Sequence, residues 1–316
     1  IMKKMINKIK VEGLFYEEAL KESEKHYVNG KLSVLTSNPE DKSLKNVCEL
    51  KIIAGQRYGN KPDAKVNPNY KTYKSLMEDN KDKNFLKIGK DAVGMSISGS
   101  IGANYFVPKG LEIIRENAIG PMQNDGSFIT MLNSVPAPKA TFDTDIVITN
   151  IIPEMTKATD TEPAQETGNL IIKGYIFNFK NVAIEVTYMA KAEDDGAVEF
   201  FSNYANELPV FTRVWGDING FHSTTTKEEK SGFGQSRIIS FETTKKEYVI
   251  KGCNPEPYTE GLTQEELKAA LADREKEIAV ALDRQKQTTA VPVPKNSVAS
   301  EFNGLGGLGF GMNGVL

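Results

Sequence analysis

The sequence predicts a mainly β (α+β) protein with a five-stranded barrel in its C-terminal half. Many segments alternate apolar and polar residues with the period of a strand, and the strand pattern of residues 140–252 is interrupted by only one helical pattern. At 316 residues the chain predicts two domains rather than one small core. We assign 1–139 to a basic, β-rich domain, 140–252 to the barrel, 253–287 to an amphipathic helix and 288–316 to a linker and a flexible, glycine-rich tail.

The N-terminal region combines several patterns. Residues 1–30 predict an amphipathic helix, because Leu14, Ala19 and Leu20 accompany the charged run "EEALKESEK". Residues 59–84 predict a loop with a short helix near Tyr70 to Met77, and strands follow. Residues 1–139 hold 22 Lys and Arg against 16 Asp and Glu, a net charge of +6 within a chain of net charge −3. An anionic partner is therefore expected to approach this region first.

The order of elements in residues 140–252 predicts the barrel type. Strands are predicted at 144–152, 169–179, 182–190, 209–218 and 236–252, a helix at 194–208, and polar loops at 153–168 and 219–235. Five strands with a helix between the third and the fourth is the connectivity of an OB-fold, a Greek-key barrel.

The C-terminal region predicts a capped helix and a binding tail. Thr263 and Glu266 form a T-x-x-E capping box, and an apolar stripe predicts that the helix docks on this chain or on a neighbour. The members of the stripe are Leu267, Leu271, Ile278 and Leu282. The tail "EFNGLGGLGFGMNGVL" is dotted with single apolar residues, of which we predict a partner-binding role for Phe302, Leu305, Leu308 and Phe310.

The chain shows no pattern typical of an enzyme or a metal site. Cys48 and Cys253 are far apart and lack CxxC spacing, and neither His26 nor His222 has a nucleophile or ligand at recognisable spacing. We expect no catalysis, metal or cofactor. The sequence contains no run of about 18 apolar residues, so it predicts no membrane span. The first residues, "IMKKMINKIK", lack the apolar core of a secretory signal. The expected location is the cytoplasm, of the host cell if the protein is viral.

Two strands predict an aromatic and basic face. In a strand, residues two apart share a side, which places Phe211, Arg213 and Trp215, the chain's one tryptophan, together. The strand at 169–179 places five further residues on the side that faces away from the barrel interior: Ile171, Lys173, Tyr175, Phe177 and Phe179.

Such a face suits single-stranded nucleic acid, DNA or RNA. Unpaired bases stack on aromatic rings whatever their sequence, while cations neutralise the backbone. We predict that Trp215, Phe211, Tyr175, Phe177 and Phe179 stack on bases. We predict that phosphates are contacted by Arg213, Lys173, Lys227, Lys230 and Arg237. The alternative is a second core, in which these aromatics pack against the N-terminal domain or the C-terminal helix.

The stretch "GNLIIKGYIFNFKNVAIEVTYMAKAEDDGAVEFFSNYANELPVFTRVWGDIN" resembles the OB-fold single-stranded DNA-binding and replication-accessory proteins of bacteriophages that infect low-GC Gram-positive bacteria. A G-Y strand, an acidic turn, an aromatic-rich helix and a "V-x-G-x-I" strand carry the resemblance over about a third of the chain. It implies binding of single-stranded DNA in replication or recombination, without catalysis, and a tail that recruits replication proteins. The tail here departs from the acidic tip of bacterial members, because only Glu301 is acidic.

A second hypothesis is a viral assembly or structural protein. The same aromatic face, the capped helix and the tail would then make protein contacts, including contacts within a homo-oligomer. Self-association that depends on residues 301–316 and persists in high salt would favour this hypothesis.

Overall fold

The protein is mainly β, as the sequence predicts. The computed structural model describes residues 5–40, 45–57, 63–106, 115–123, 128–135, 137–159, 162–229, 233 and 236–290. Its strands are β1 (Asn7–Glu22), β2 (Tyr27–Leu35), β3 (Lys45–Gly55), β4 (Gly94–Phe106), β5 (Arg115–Gln123), β6 (Ile129–Leu132), β7 (Lys139–Met155), β8 (Glu166–Phe177), β9 (Ala183–Ala190), β10 (Val210–Glu229) and β11 (Arg237–Cys253). Its α-helices are α1 (Pro68–Met77), α2 (Phe85–Ile88), α3 (Ala197–Tyr204) and α4 (Gln264–Ala290).

Strands β1 to β5 form a closed set of pairings, which we call the first circuit. β1 pairs antiparallel with β2, β2 with β3, β4 with β5, and β1 with β4. A short parallel contact between β3 and β5 completes the set. Helix α1 lies between β3 and β4 in the chain, and β6 adds to the free side of β4.

Strands β7 to β11 repeat this order and form the second circuit. β7 pairs with β8, β8 with β9, β10 with β11 and β10 with β7, all antiparallel. The parallel contact here joins β9 and β11 through Met189 and Val249. Helix α3 lies between the third and fourth strands of the circuit.

A shared seam joins the two circuits. β7 pairs with β1 along Asn7 to Glu12, and β10 pairs with β3 where Phe221 faces Asn46. The Asn46 amide donates to Asn219 Oδ1 at 2.9 Å, and its Oδ1 accepts the Gly220 N–H at 2.7 Å. Because of these pairings, all eleven strands belong to one sheet, and one hydrophobic cluster includes residues of both circuits.

The predicted helix over residues 1–30 is wrong, since the segment forms β1 and β2. Ile9 and Val11 are buried on one side of β1 while Lys8 and Lys10 are exposed on the other. β1 pairs with three strands, β2, β4 and β7. This pairing outweighs the helix propensity of the Glu-, Ala- and Lys-rich run, since propensity is worth less than about 1 kcal/mol per residue.

The structure also changes the predicted loops. The polar stretch 219–235 was expected to be a loop, but β10 continues to Glu229 and pairs with β11 in a long hairpin. The expected loop 153–168 shortens, because β7 ends at Met155 and β8 begins at Glu166. The predicted short helix near Tyr70 to Met77 is confirmed by α1, and the helical pattern at 194–208 is confirmed by α3.

Of the helices in the described ranges, none combines the length and the apolar character needed to cross a membrane.

Candidate functional site

The two aromatic strands of the predicted face lie on either side of β7. Val147 of β7 pairs with Tyr175 of β8 on one side and with Phe211 of β10 on the other. These three residues therefore form one row across the outer surface of the second circuit, with the backbones of Tyr175 and Phe211 about 10 Å apart across the sheet. The structure thus brings together the two strands that the sequence picked out separately.

Helix α4 covers the middle of this face. Thr263 Oγ1 accepts the Glu266 N–H at 3.2 Å and Glu266 Oε2 accepts the Thr263 N–H at 3.0 Å, so the predicted capping box starts the helix. Ala270 is 3% exposed, and Leu267 and Leu271 pack beside it on Phe177 and its neighbours. The small side chain of Ala270 lets the helix approach the sheet closely.

The prediction that Phe177 stacks on bases is wrong, because its side chain is fully buried. Phe177 belongs to a cluster with Met5, Val147, Ala183 and Ala270. Tyr175 and Phe211 are half-buried at the edge of the same cluster, and the Phe211 ring lies 5.0 Å from that of Tyr258. The second-core alternative therefore holds for Phe177 and for part of these two rings.

Trp215 is the large aromatic side chain that β10 leaves accessible. It is 42% exposed, and it pairs with Gly252 of β11, next to a bulge at which β11 holds the extra residue Lys251. A Cβ at residue 252 would meet the indole ring at 2.4 Å, so the ring packs against the Gly252 backbone. The glycine thus holds one part of the indole while another part remains open to solvent.

Arg213 lies beside Trp215 and is held by a carboxylate. Its Nε donates to Asp143 Oδ1 at 2.7 Å, and a second guanidinium nitrogen donates to Asp143 Oδ2. These hydrogen bonds raise the pKa of Arg213 above its ordinary value. The neighbouring Asp145 is buried and accepts from the Ile6 N–H at 2.8 Å and from the Tyr258 hydroxyl at 3.2 Å. Arg213 is therefore fixed in place, with its charge balanced locally.

The remaining predicted residues are dispersed. Lys173 is half-buried on β8, and Phe179 is 75% exposed in the β8–β9 turn, where the Lys180 ammonium lies 5.5 Å from its ring. Arg237 is exposed at the far end of the β10–β11 hairpin, opposite Glu229. The Lys227 side chain and Lys230 lie outside the described residues, as do the four tail residues Phe302, Leu305, Leu308 and Phe310.

The outer surface continues from β10 onto the first circuit, and sequence reasoning missed this half. Register places Lys8 next to Asp143, Lys10 next to Thr141 and Ser98 next to Lys10. Phe128, 62% exposed, follows in the same row because it exchanges hydrogen bonds with Ser98. The alternation of Lys8 and Lys10 with Ile9 and Val11 is the sequence pattern that could have indicated a basic outer face on β1.

This half contains an open cleft of about 380 Å³ between the circuits. Its lining residues come from β1, β4, β7 and the start of β6: Lys8, Ile9, Lys10, Ser96, Ser98, Phe128, Thr130, Thr141, Phe142 and Asp143. Two lysines, four hydroxyls and one exposed ring give it the groups that contact phosphates and bases.

The described residues offer little for metal binding or for thiol-based catalysis. No group of three His, Cys, Asp or Glu side chains within it could hold a metal ion. Burial raises the pKa of the Cys48 thiol to about 12, so this thiol stays protonated and is a poor nucleophile.

Fold and surface together define a mainly β protein with two strand circuits and an outer face that joins exposed rings to basic side chains. The chain belongs to the YorF family, whose model matches residues 6–283. No curated protein matches the sequence significantly.

Two solved structures resemble the chain. The wild-type single-stranded DNA binding protein from Thermus aquaticus is 12% identical with a TM-score of 0.44, and the match covers 83% of this chain and 97% of that one. A deletion mutant of the protein from the same organism is 10% identical with a TM-score of 0.45, covering 83% and 98%.

Proposed function

We propose that this chain is a single-stranded DNA-binding protein that acts without sequence specificity and without catalysis. The observation that carries the proposal is Trp215, an exposed indole fixed on Gly252 next to Arg213 and the lysine-lined cleft. A held ring loses little freedom when a base stacks on it, and stacking on an aromatic ring is worth about 1 to 3 kcal/mol per base whatever the base. Nearby cations then neutralise the backbone.

We further propose that the second circuit is an OB-fold barrel. Its pairing order, β7–β8–β9–β11–β10 and back to β7, and the position of α3 between the third and fourth strands support this assignment. The first circuit has the same order, with α1 at the equivalent point, so the same proposal extends to it. OB-folds commonly bind oligonucleotides on their outer strands and connecting loops.

The proposed setting is bacteriophage DNA replication or recombination in the host cytoplasm. The sequence resemblance supports this setting, and it also supports recruitment of replication proteins through the tail. Removing residues 291–316 should then abolish capture of replication proteins from infected cells while leaving the affinity for DNA unchanged.

Fluorescence of the lone tryptophan tests the DNA-binding proposal directly. The full chain is titrated with oligo-dT, with oligo-rU and with duplex DNA of the same length at several salt concentrations. We expect quenching by the single strands, with an affinity that falls as salt rises by a slope of about −0.7 per phosphate contact. Trp215→Ala, followed by anisotropy of labelled oligo-dT, should weaken binding by about 1 to 3 kcal/mol.

Leu86→Ala is a suitable control, because Leu86 is 56% exposed on α2 and lies outside the proposed face. Equal affinity of the wild type for duplex and single strand, or unchanged oligo-dT affinity in Trp215→Ala, would refute the proposal. Salt-resistant self-association without DNA binding would instead support the assembly hypothesis.

A further inference from the structure

We propose that the single strand does not end at the second circuit but crosses the seam, with the cleft as its second binding site and Phe128 as its second stacking platform. This inference rests on the proposed function and adds a site to it. Trp215 and Phe128 lie on the same outward side of the sheet, separated by the strands β7, β1 and β4.

The register defines the route. From Asp217, two residues beyond Trp215, one row runs through Thr141 and Lys10 to Ser98. Ser98 exchanges hydrogen bonds with Phe128, which ends the row. Four steps between neighbouring strands, together with the offset along β10, give roughly 20 Å along the surface. At the duplex rise of about 3.4 Å per nucleotide this distance corresponds to roughly six nucleotides, and to fewer when the strand is extended.

The chemistry of the row suits a nucleic-acid backbone. Lys8 is exposed and forms no ion pair within the described residues, whereas Lys10 pairs with Glu12 at 3.0 Å and remains 58% exposed. The hydroxyls of Ser96, Ser98, Thr130 and Thr141 line the same cleft. Those of Ser96, Ser98 and Thr141 donate over 3.4 to 3.5 Å to Glu12 Oε1 and to the carbonyls of Phe128 and Lys10, and a phosphate oxygen can replace these long contacts. The cleft therefore offers cations and neutral donors between two rings, which fits a polyanion with flat bases better than it fits an apolar partner.

The carboxylates of this face limit how strongly it binds. Asp143 is neutralised by Arg213 and Glu12 by Lys10, while Asp217 lies on β10 opposite Thr141 of β7. The local charge is close to balanced, so the cleft is expected to extend a strand that is already held at Trp215 rather than to capture DNA alone.

The test compares oligo-dT of about 3 nucleotides, which cannot span the roughly 20 Å between the two rings even when extended, with oligo-dT of about 15 nucleotides, near the upper end of the range of site sizes seen for such proteins. Phe128→Ala should lose about 5- to 150-fold in affinity for the long oligonucleotide and little for the short one, whereas Trp215→Ala should weaken both. Phe128→Leu keeps an apolar side chain but removes the flat ring, and it should behave like Phe128→Ala.

Lys10→Ala has a closely matched control in Lys31→Ala. Lys31 is 63% exposed and pairs with Glu49 at 3.1 Å, much as Lys10 pairs with Glu12, but it lies on β2, away from the cleft. Lys10→Ala should reduce the salt slope for the long oligonucleotide by about 0.7, and Lys31→Ala should leave that slope unchanged.

The outcomes separate the two proposals. If the wild type binds neither oligonucleotide, the proposed function and this inference fail together. If the wild type binds both but Phe128→Ala and Lys10→Ala behave like Lys31→Ala, only the route across the cleft is overturned. A length-dependent loss confined to the cleft variants supports it.

Discussion

Trp215 and Gly252 face each other across β10 and β11 so closely that any side chain at residue 252 would displace the indole. The glycine therefore determines where the tryptophan lies. This relationship can be tested without touching the tryptophan itself.

Gly252→Ala should shift the Trp215 emission and weaken oligo-dT binding by up to about 1 to 3 kcal/mol, the value of a lost stacking contact. Gly55→Ala is the matched control, because Gly55 pairs with Tyr27 of β2 and a Cβ there would meet that ring at 2.9 Å. Fluorescence titration and thermal unfolding of both variants make the comparison. Unchanged affinity in Gly252→Ala would show that the position of the indole does not matter for binding.

Asp143→Asn should strengthen binding of single-stranded DNA. The change removes a negative charge from the cleft and releases the Arg213 guanidinium, so the salt slope should steepen by about 0.7. Asp82→Asn changes the net charge equally at an exposed pair with Lys87 and should have no effect. Weaker binding in Asp143→Asn would mean that Arg213 acts only when Asp143 orients it.

Ala270→Leu should destabilise the protein by about 1 to 3 kcal/mol, because the added carbons have no space between α4 and the buried Phe177. Ala269→Leu makes the same change at the preceding residue, which is exposed, and should change the free energy of unfolding by no more than about 0.5 kcal/mol. Denaturant unfolding measures both values. Equal stability of the two variants would contradict the docking of α4 on this face.

Acid should loosen the contact between α1 and β1. Hydrogen bonds from Lys74 and Tyr70 lower the pKa of Glu22 from 4.5 to about 2. A carboxyl whose folded-state pKa is depressed stabilises the fold above its unfolded pKa, and this contribution is lost as the pH falls from about 4.5 towards 2.

Glu22→Gln should therefore lower stability at neutral pH and flatten its fall over that acid range, as followed by thermal unfolding. Glu78→Gln is the comparison, because Glu78 is the other carboxylate partner of Lys74 and is more exposed. An identical acid profile in Glu22→Gln and the wild type would exclude a role for this carboxyl.

The sequence predicts the positions of the second circuit's five strands because their apolar and polar residues alternate regularly, although it ends β10 at residue 218 instead of Glu229. The outward set Phe211, Arg213 and Trp215 follows from that alternation alone. The burial of Phe177 could not be derived in the same way, because it depends on where α4 docks. The apolar stripe of α4 predicts that the helix packs against a protein surface but does not indicate which surface.

The first circuit was harder to predict for a physical reason. The run from Tyr16 to Glu22 has good helix formers, and only its pairing with β2 makes it a strand. Lys8 and Phe128 are about 120 residues apart in sequence, and nothing local indicates that β1, β4 and β6 place them over one cleft. Sites assembled from distant strands require the register, which a single sequence does not contain.

The seam has a consequence for how the protein comes apart. β1 belongs to the first circuit and also pairs with β7 of the second, while β10 pairs with β3 across more than 170 residues of chain. If either circuit unfolds, the strands that pair across the seam, β1 with β7 and β3 with β10, lose their partners. Their backbone hydrogen-bonding groups are then exposed, and such groups are costly to leave unpaired. The two circuits should therefore unfold together in one cooperative step rather than independently. Because so many paired residues are far apart in the sequence, the protein should also fold slowly.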